Sequence, residues 1–327
     1  MADFSTTYMG LALPNPFVVA SCRLTATLEG IRRCEEAGAG AVVLKSLFEE
    51  QIDVDTRELE AQSWLTGHAE AFEYVRGMGM ALGPREYVTL IEEAKKAVSI
   101  PIIASLNCVE GRWWGEYAAQ LASAGADGIE LNISLIPADT RRTAAEVEQH
   151  FYEVVDQVKA KVTVPLAVKI GPYFTSLPHV AKELADRGAA ALVLFNRFYQ
   201  MDIDVERLTI VAGNRLSSPE EIHLPLRWIA LLAGRFDTDL AASTGIHDGK
   251  GAVKAFLAGA KVVQLCSTLY KNGLAQIGRI RQEVEAWLQS HGYHSVEEIR
   301  GLLSQERSEK PELYLRLQYI KALTGIE

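Results

Sequence analysis

The chain has few cysteines, no long apolar stretch and no excess of positive charge, and each shortage excludes something. Its four cysteines, Cys22, Cys34, Cys108 and Cys266, lie far apart and form neither a C-x-x-C pair nor a Cys/His ligand pattern. That disfavours a structural zinc or an iron–sulfur cluster, and no metal is expected. Cys22 and Cys108 sit just past expected strands, within reach of a ligand there, although small apolar filling in a reduced compartment is the commoner use of such a residue. No run reaches the roughly 18 apolar residues of a membrane span, and the N-terminus lacks a charged segment followed by an apolar one. These features predict a soluble, cytoplasmic protein. The formal net charge of −9 argues against general affinity for nucleic acid or acidic membranes. No Pro/Gly/Ser-rich linker or charge block divides the 327 residues, so a single domain over residues 1–327 is expected.

What the chain does contain is eight short runs rich in Val, Ile, Leu and Ala: Phe17 to Ser21, Ala41 to Lys45, Ile102 to Leu106, Ile129 to Asn132, Leu166 to Lys169, Ala191 to Asn196, Leu240 to Thr244, and Val262 to Ser267. Each is too short for a helix and lacks clean polar alternation, as expected of a strand buried on both faces. Helical segments separate them. Four of the helix-to-strand returns share one phrase, around Gly38, Gly125, Gly188 and Gly259, in which small residues flank a glycine able to end a helix. This βα repetition predicts a (β/α)8 TIM barrel with an N-terminal hairpin over Ser5 to Leu13. An eighth helix over Leu269 to Gln289 and appended helices over Val296 to Leu303 and Pro311 to Leu323 are expected to follow the last strand. Three connections exceed the usual length, Leu47 to Gly83, Ser134 to Thr143 and Arg197 to Ser217, and all leave C-terminal strand ends, where barrels carry their sites.

The strand ends are polar. Ser243-Thr244-Gly245 and Ser267-Thr268 close the last two strands, where a barrel commonly holds phosphate on backbone N–H groups, and Ser217-Ser218 end the loop before them. Lys45 and Lys169 end strands two and five, placing an ammonium where negative charge can develop. Asn107, Asn132 and Asn196 end or follow strands three, four and six, and an amide suits a ring of alternating C=O and N–H groups.

Asn15-Pro16-Phe17, Lys45-Ser46, Met78-Gly79, Leu131-Asn132-Ile133-Ser134, Val168-Lys169-Ile170-Gly171-Pro172-Tyr173-Phe174 and Thr244-Gly245-Ile246 occur in that order along the chain. In these segments the chain resembles the dihydroorotate dehydrogenases, from about Tyr8 to about Tyr293. The resemblance implies an FMN-containing barrel that oxidises a CH–CH bond, taking a proton from one carbon and passing hydride to flavin. It places Ala20, Ser21, Lys45, Ser46, Asn107, Asn132, Lys169, Ser243, Thr244, Gly245, Ser267 and Thr268 around FMN. It also implies a place in pyrimidine biosynthesis, a homodimer, and membership of the soluble branch.

One segment departs from the family. The family's proton acceptor lies in a phrase of the form Asn-x-Ser-(Cys or Ser)-Pro-Asn, whereas this chain reads Asn132-Ile133-Ser134-Leu135-Ile136-Pro137-Ala138. Leu135 stands at the base position and has no proton-accepting atom. Ser134, Asp139, Cys108 and Tyr199 are candidate substitutes, with an ion pair to Arg141 or Arg142 as the competing role of Asp139. Asn132 and Asn196, with Arg76 and Arg197 on the long loops, are the expected substrate contacts; Arg141 and Arg142 would extend a cationic mouth. Lys45 is expected to serve both flavin and substrate. The expected function is an FMN-dependent dehydrogenase acting on dihydroorotate or a related dihydropyrimidine-like small molecule. Alternatives are an FMN-binding subunit or carrier that serves an electron-transfer partner protein, and an aldolase or isomerase barrel using a Schiff-base lysine.

Overall fold

Each of the eight apolar runs contains a strand in the computed structural model, which describes residues 2–48, 85–107, 111–197, 200–213 and 216–325. The first half holds β1 (Thr6–Tyr8), β2 (Leu11–Leu13), β3 (Phe17–Val19), α1 (Leu28–Glu36), β4 (Ala41–Val43), β5 (Leu47–Phe48), α2 (Arg85–Ala97), β6 (Ile102–Asn107), α3 (Gly111–Ser123), β7 (Gly128–Asn132) and α4 (Ala144–Lys159). Then come β8 (Leu166–Ile170), α5 (Leu177–Asp186), β9 (Ala189–Leu194), β10 (Met201–Asp204), β11 (Thr209–Ala212), α6 (His223–Leu232), β12 (Asp239–Ser243), α7 (Gly249–Ala258) and β13 (Val262–Leu265). The chain ends in α8 (Ser267–Asn272), α9 (Gln276–Ser290), α10 (Val296–Ile299) and α11 (Tyr314–Thr324). Parallel pairing runs through β3, β4, β6, β7, β8, β9, β12 and β13 and returns to β3, so the fold is a closed (β/α)8 TIM barrel.

Both faces of the strands are buried, yet their side chains divide by parity. Val18, Val43, Ile103, Ala167, Val193, Ala241 and Val262 share one apolar cluster with Tyr8, Met9 and Leu13. Their neighbours Phe17, Val19, Val42, Ile102, Ile129 and Val168 belong to the larger cluster that the helices complete. The first cluster is the barrel interior, and the β1–β2 hairpin, turned by Met9 and Gly10 at φ 56° and 77°, plugs its lower end. Each fully buried Val or Ile there contributes about 1.5–3 kcal/mol by leaving water. Because side chains alternate along a strand, Ala20, Lys45, Ser105, Lys169, Ser243 and Gln264 have the parity of the interior residues two positions before them. Glu130 shares that parity, being next to the outward Ile129. The interior is apolar at its floor and polar at its C-terminal mouth.

All four repeated glycines adopt left-handed backbone, with φ between 92° and 118°. At Gly259 space also matters, because a Cβ would lie 2.4 Å from that of Ala233. Two expected helices differ. The eighth breaks at Gly273 (φ 76°), which separates α8 from α9. The helix expected over Val296 to Leu303 ends at Ile299, because Arg300 turns extended and the next amide, of Gly301, donates to the Phe256 carbonyl at 2.9 Å. The connection after Asn196 contains the antiparallel β10–β11 ribbon. Among the described residues no helix is long and apolar enough to cross a membrane.

Candidate active site

The C-terminal ends of β3, β8, β12 and β13 enclose a cavity of about 340 Å³. Of the residues expected around a cofactor, Ala20, Ser21, Lys169, Ser243, Thr244, Gly245 and Ser267 line it, together with Asn196, Arg197, Ser217, Gln264, Cys22 and Cys266. Lys45, Ser46, Asn107, Asn132 and Thr268 are not among its lining residues. Thr268 is fully buried and donates its hydroxyl proton to the His247 carbonyl at 3.1 Å, so it braces the wall from behind.

One wall is built from consecutive left-handed residues, Thr244 at φ 81° and Gly245 at φ 80°. Thr244 is held there by its hydroxyl, which donates to the Phe195 carbonyl at 3.3 Å. Gly245 admits no side chain, since a Cβ would lie 2.2 Å from the Ile222 nitrogen. Ser217 is the hub. Its amide donates to Ser267 Oγ at 3.0 Å, its Oγ accepts from the Gly245 amide at 3.4 Å, and its carbonyl accepts from Lys271 Nζ at 2.7 Å. The same Oγ lies 3.1 Å from His247 Nε2. Burial, with the Lys271 charge next, holds His247 below the ordinary histidine range and so favours the neutral ring beside Ser217. Sequence reading anticipated Ser217 but neither His247 nor Lys271, which lie 30 and 54 positions away from it.

Lys169 and Gln264, which also line the cavity, form with Glu130 a buried polar triad drawn from three strands. Lys169 Nζ donates to Gln264 Oε1 at 3.3 Å and lies 3.6 Å from Glu130 Oε1, while Gln264 Nε2 donates to Glu130 Oε2 at 2.6 Å. Glu130 is 1% exposed and its Oε1 has no hydrogen bond, so the lysine charge alone compensates that oxygen. Neither Glu130 nor Gln264 was anticipated as a site residue. Their interior parity with Asn132 and Val262 was the available signal.

A chain of hydroxyls links the ends of the neighbouring strands β3, β4 and β6. Ser21 Oγ is 3.0 Å from Ser46 Oγ, which is 2.8 Å from Ser105 Oγ, and the Ser105 amide donates to the Tyr87 hydroxyl at 3.0 Å. Above them Asn196 Nδ2 donates to Asn132 Oδ1 at 2.8 Å, bringing two expected substrate contacts together. Arg197 Nε pairs with Glu221 Oε2 at 2.7 Å. In the loop after β7, Ser134 is exposed and Leu135 is partly buried against the core. Asp139 is exposed and clasped by Arg141, with Oδ1 accepting from Nε at 3.0 Å and Oδ2 from Nη2 at 2.9 Å; the guanidinium holds its carboxyl below the usual range. Arg76, Cys108 and Tyr199 lie outside the described residues, as does most of the connection from Leu47 to Gly83. Among the described residues no group of three His, Cys, Asp or Glu side chains is placed to hold a metal ion.

A family model described as dihydroorotate dehydrogenase matches residues 3–288, nearly the whole barrel. The chain belongs to the dihydroorotate dehydrogenase family. It is 27% identical to the dihydroorotate dehydrogenase B (NAD(+)) catalytic subunit of Thermoplasma volcanium over 92% of this chain and 99% of the relative. A putative dihydroorotate dehydrogenase A (fumarate) of Aeropyrum pernix is 30% identical over 91% and 97%. Another catalytic subunit of the B type, from Citrifermentans bemidjiense, is 35% identical over 64% of this chain and 70% of its own length. The matches make the chain a member of an oxidoreductase family.

Proposed function

We propose that the protein is an FMN-dependent dehydrogenase acting on a CH–CH bond of dihydroorotate or a closely related dihydropyrimidine-like compound. The observation that carries this reading is one cavity with two chemically distinct linings: the Thr244–Gly245 turn with its neighbouring serine hydroxyls, and buried Lys169. The donor set fits a flavin mononucleotide. Ser217, Ser243, Thr244, Gly245 and Ser267 supply small donors suited to a phosphate, while Lys169 supplies a cation for an electron-rich ring edge. A bound flavin would provide the hydride acceptor.

The chain's own residues would do the rest. Ala20, Ser21, Lys45, Ser46, Asn107 and Asn132 would shape the ring pocket, with Lys45 reaching both flavin and substrate. Asn132 and Asn196, already in contact, would bind the substrate's amide edge, and Arg197 would stand beside it. Ser134, exposed and next to Asn132 in the loop after β7, is the favoured proton acceptor in place of Leu135, since Asp139 would first have to leave Arg141. Dihydroorotate itself is supported by the names of the relatives. We also propose a cytoplasmic homodimer.

A second reading, a flavin-holding subunit that passes electrons for a partner protein, is favoured by one observation: Leu135 packs on the core where a base would stand. Anaerobic mixing of the purified flavoprotein with dihydroorotate and then with dihydropyrimidines separates the two. Bleaching of the flavin absorption by any of them supports the dehydrogenase, and bleaching only by a reduced protein partner supports the carrier. A colourless protein that takes up no FMN refutes both.

A further inference from the structure

Two cysteines stand together on the cavity wall. The Ala20 amide donates to the Leu265 carbonyl at 2.9 Å, so the ends of β3 and β13 lie side by side. Cys22 and Cys266 follow on these neighbouring strand ends, and both are free thiols lining the cavity, each the main influence on the other's acidity. Neither is fully buried, whereas Cys34 is sealed in the core. Nothing in the proposed dehydrogenation uses either thiol.

We propose that Cys22 and Cys266 are a redox-active dithiol that closes to a disulfide across the cavity wall on reaction with a small-molecule disulfide. The surroundings of the two thiols set their roles. The neighbouring Cys266 thiol, with lesser help from the Leu24 amide and the Tyr270 hydroxyl, outweighs burial and lowers the Cys22 thiol to about 7. Donation and burial raise Cys266, which stays protonated. Cys22 is therefore the attacking thiolate near neutral pH and Cys266 the resolving thiol. In the first step Cys22 Sγ forms a bond to one sulfur of R–S–S–R, the S–S bond breaks and one R–S⁻ leaves. Cys266, no longer donating to a thiolate, gives its proton to that departing thiolate and attacks Cys22 Sγ, expelling the second R–S⁻. Two protein thiols are oxidised and one small disulfide is reduced to two thiols. The new bond would join the exit of β3 to the start of α8, one residue before Ser267, whose Oγ holds the Ser217 amide. The cavity wall would thus register the thiol–disulfide state of its surroundings.

The test uses the full-length protein and cystamine, followed by thiol counting and peptide mass mapping. Loss of two thiols, a cross-linked peptide containing Cys22 and Cys266, and reversal by dithiothreitol are expected. Cys266→Ser should stop at a stable cysteamine adduct on Cys22, and Cys22→Ser should leave Cys266 unmodified. The proposal is overturned if the wild type keeps a stable adduct on Cys22 with Cys266 still alkylatable, if Cys22 pairs with Cys108 instead, or if both thiols survive treatment. Flavin content is read separately from the absorption spectrum, so failure of the flavin assignment leaves the thiol result intact.

Discussion

Replacing Glu130 by Gln tests whether the polar mouth is held by a buried charge pair. Glu130 and Lys169 are 1% and 8% exposed, and Glu130 Oε1 has only the lysine charge to answer it. Removing one partner of a buried pair costs about 3–5 kcal/mol, because the survivor is left charged in a medium that solvates it poorly. Glutamine keeps the bond to Gln264, which sets the loss near the lower limit, about 3 kcal/mol. For a chain of this size the urea dependence lies toward the upper end of about 1–3 kcal/mol per M, so the unfolding midpoint should fall by roughly 1 M. Tryptophan fluorescence reports the transition, since Trp114 is fully buried. The control removes all three polar groups together. E130L/K169M/Q264L leaves no orphan and should recover to within about 1 kcal/mol of wild type, as apolar replacement of a buried pair is often neutral. A Glu130→Gln midpoint equal to wild type, or a triple variant as unstable as the single one, would refute the reasoning.

Leu135→Cys places a thiol at the family's base position and should confer or accelerate flavin bleaching by dihydroorotate in stopped-flow experiments; unchanged bleaching means that the loop after β7 is aligned differently. Gly245→Ala forces a Cβ to within 2.2 Å of the Ile222 nitrogen at a φ of 80°, and should cost about 1–3 kcal/mol in thermal or urea unfolding while lowering FMN retention. His247 has a folded pKa below its unfolded value, so the unfolded chain binds the extra proton. The resulting stability is fully present above about pH 6.5 and declines as the pH falls toward the folded pKa. His247→Gln should therefore flatten the loss of urea midpoint between about pH 7 and pH 5.5, and an unaltered slope would count against a buried neutral ring.

The barrel was legible because its strands are nearly pure apolar runs and its helices end in one repeated phrase, whose four glycines all take left-handed backbone. The phosphate-like end was legible for a similar reason, as small residues at Thr244, Gly245 and Ser267 are what close backbone approach requires. Glu130 and Gln264 escaped because each is one polar letter inside a strand, and only counting parity from Val262 or Asn132 turns it inward. His247 and Lys271 escaped for another reason: they meet Ser217 through tertiary folding, over separations that no local pattern encodes. At Asp139 the sequence favoured an ion pair with Arg141 or Arg142 over a free carboxylate, and the structure has the pair with Arg141.

The bond from Asn196 to Asn132 uses one donor of the first amide and one lone pair of the second, and leaves each with further groups to offer. A ring can therefore bridge the pair without dissolving it, and the contact sets the spacing at which the two amides present what remains. A ligand offering one polar edge gains a single bond worth about 1 kcal/mol, while one with complementary donors and acceptors at that spacing engages both amides. Selectivity at this site is then a matter of counting edges, and it would persist even if the surrounding loops were rebuilt for a different substituent.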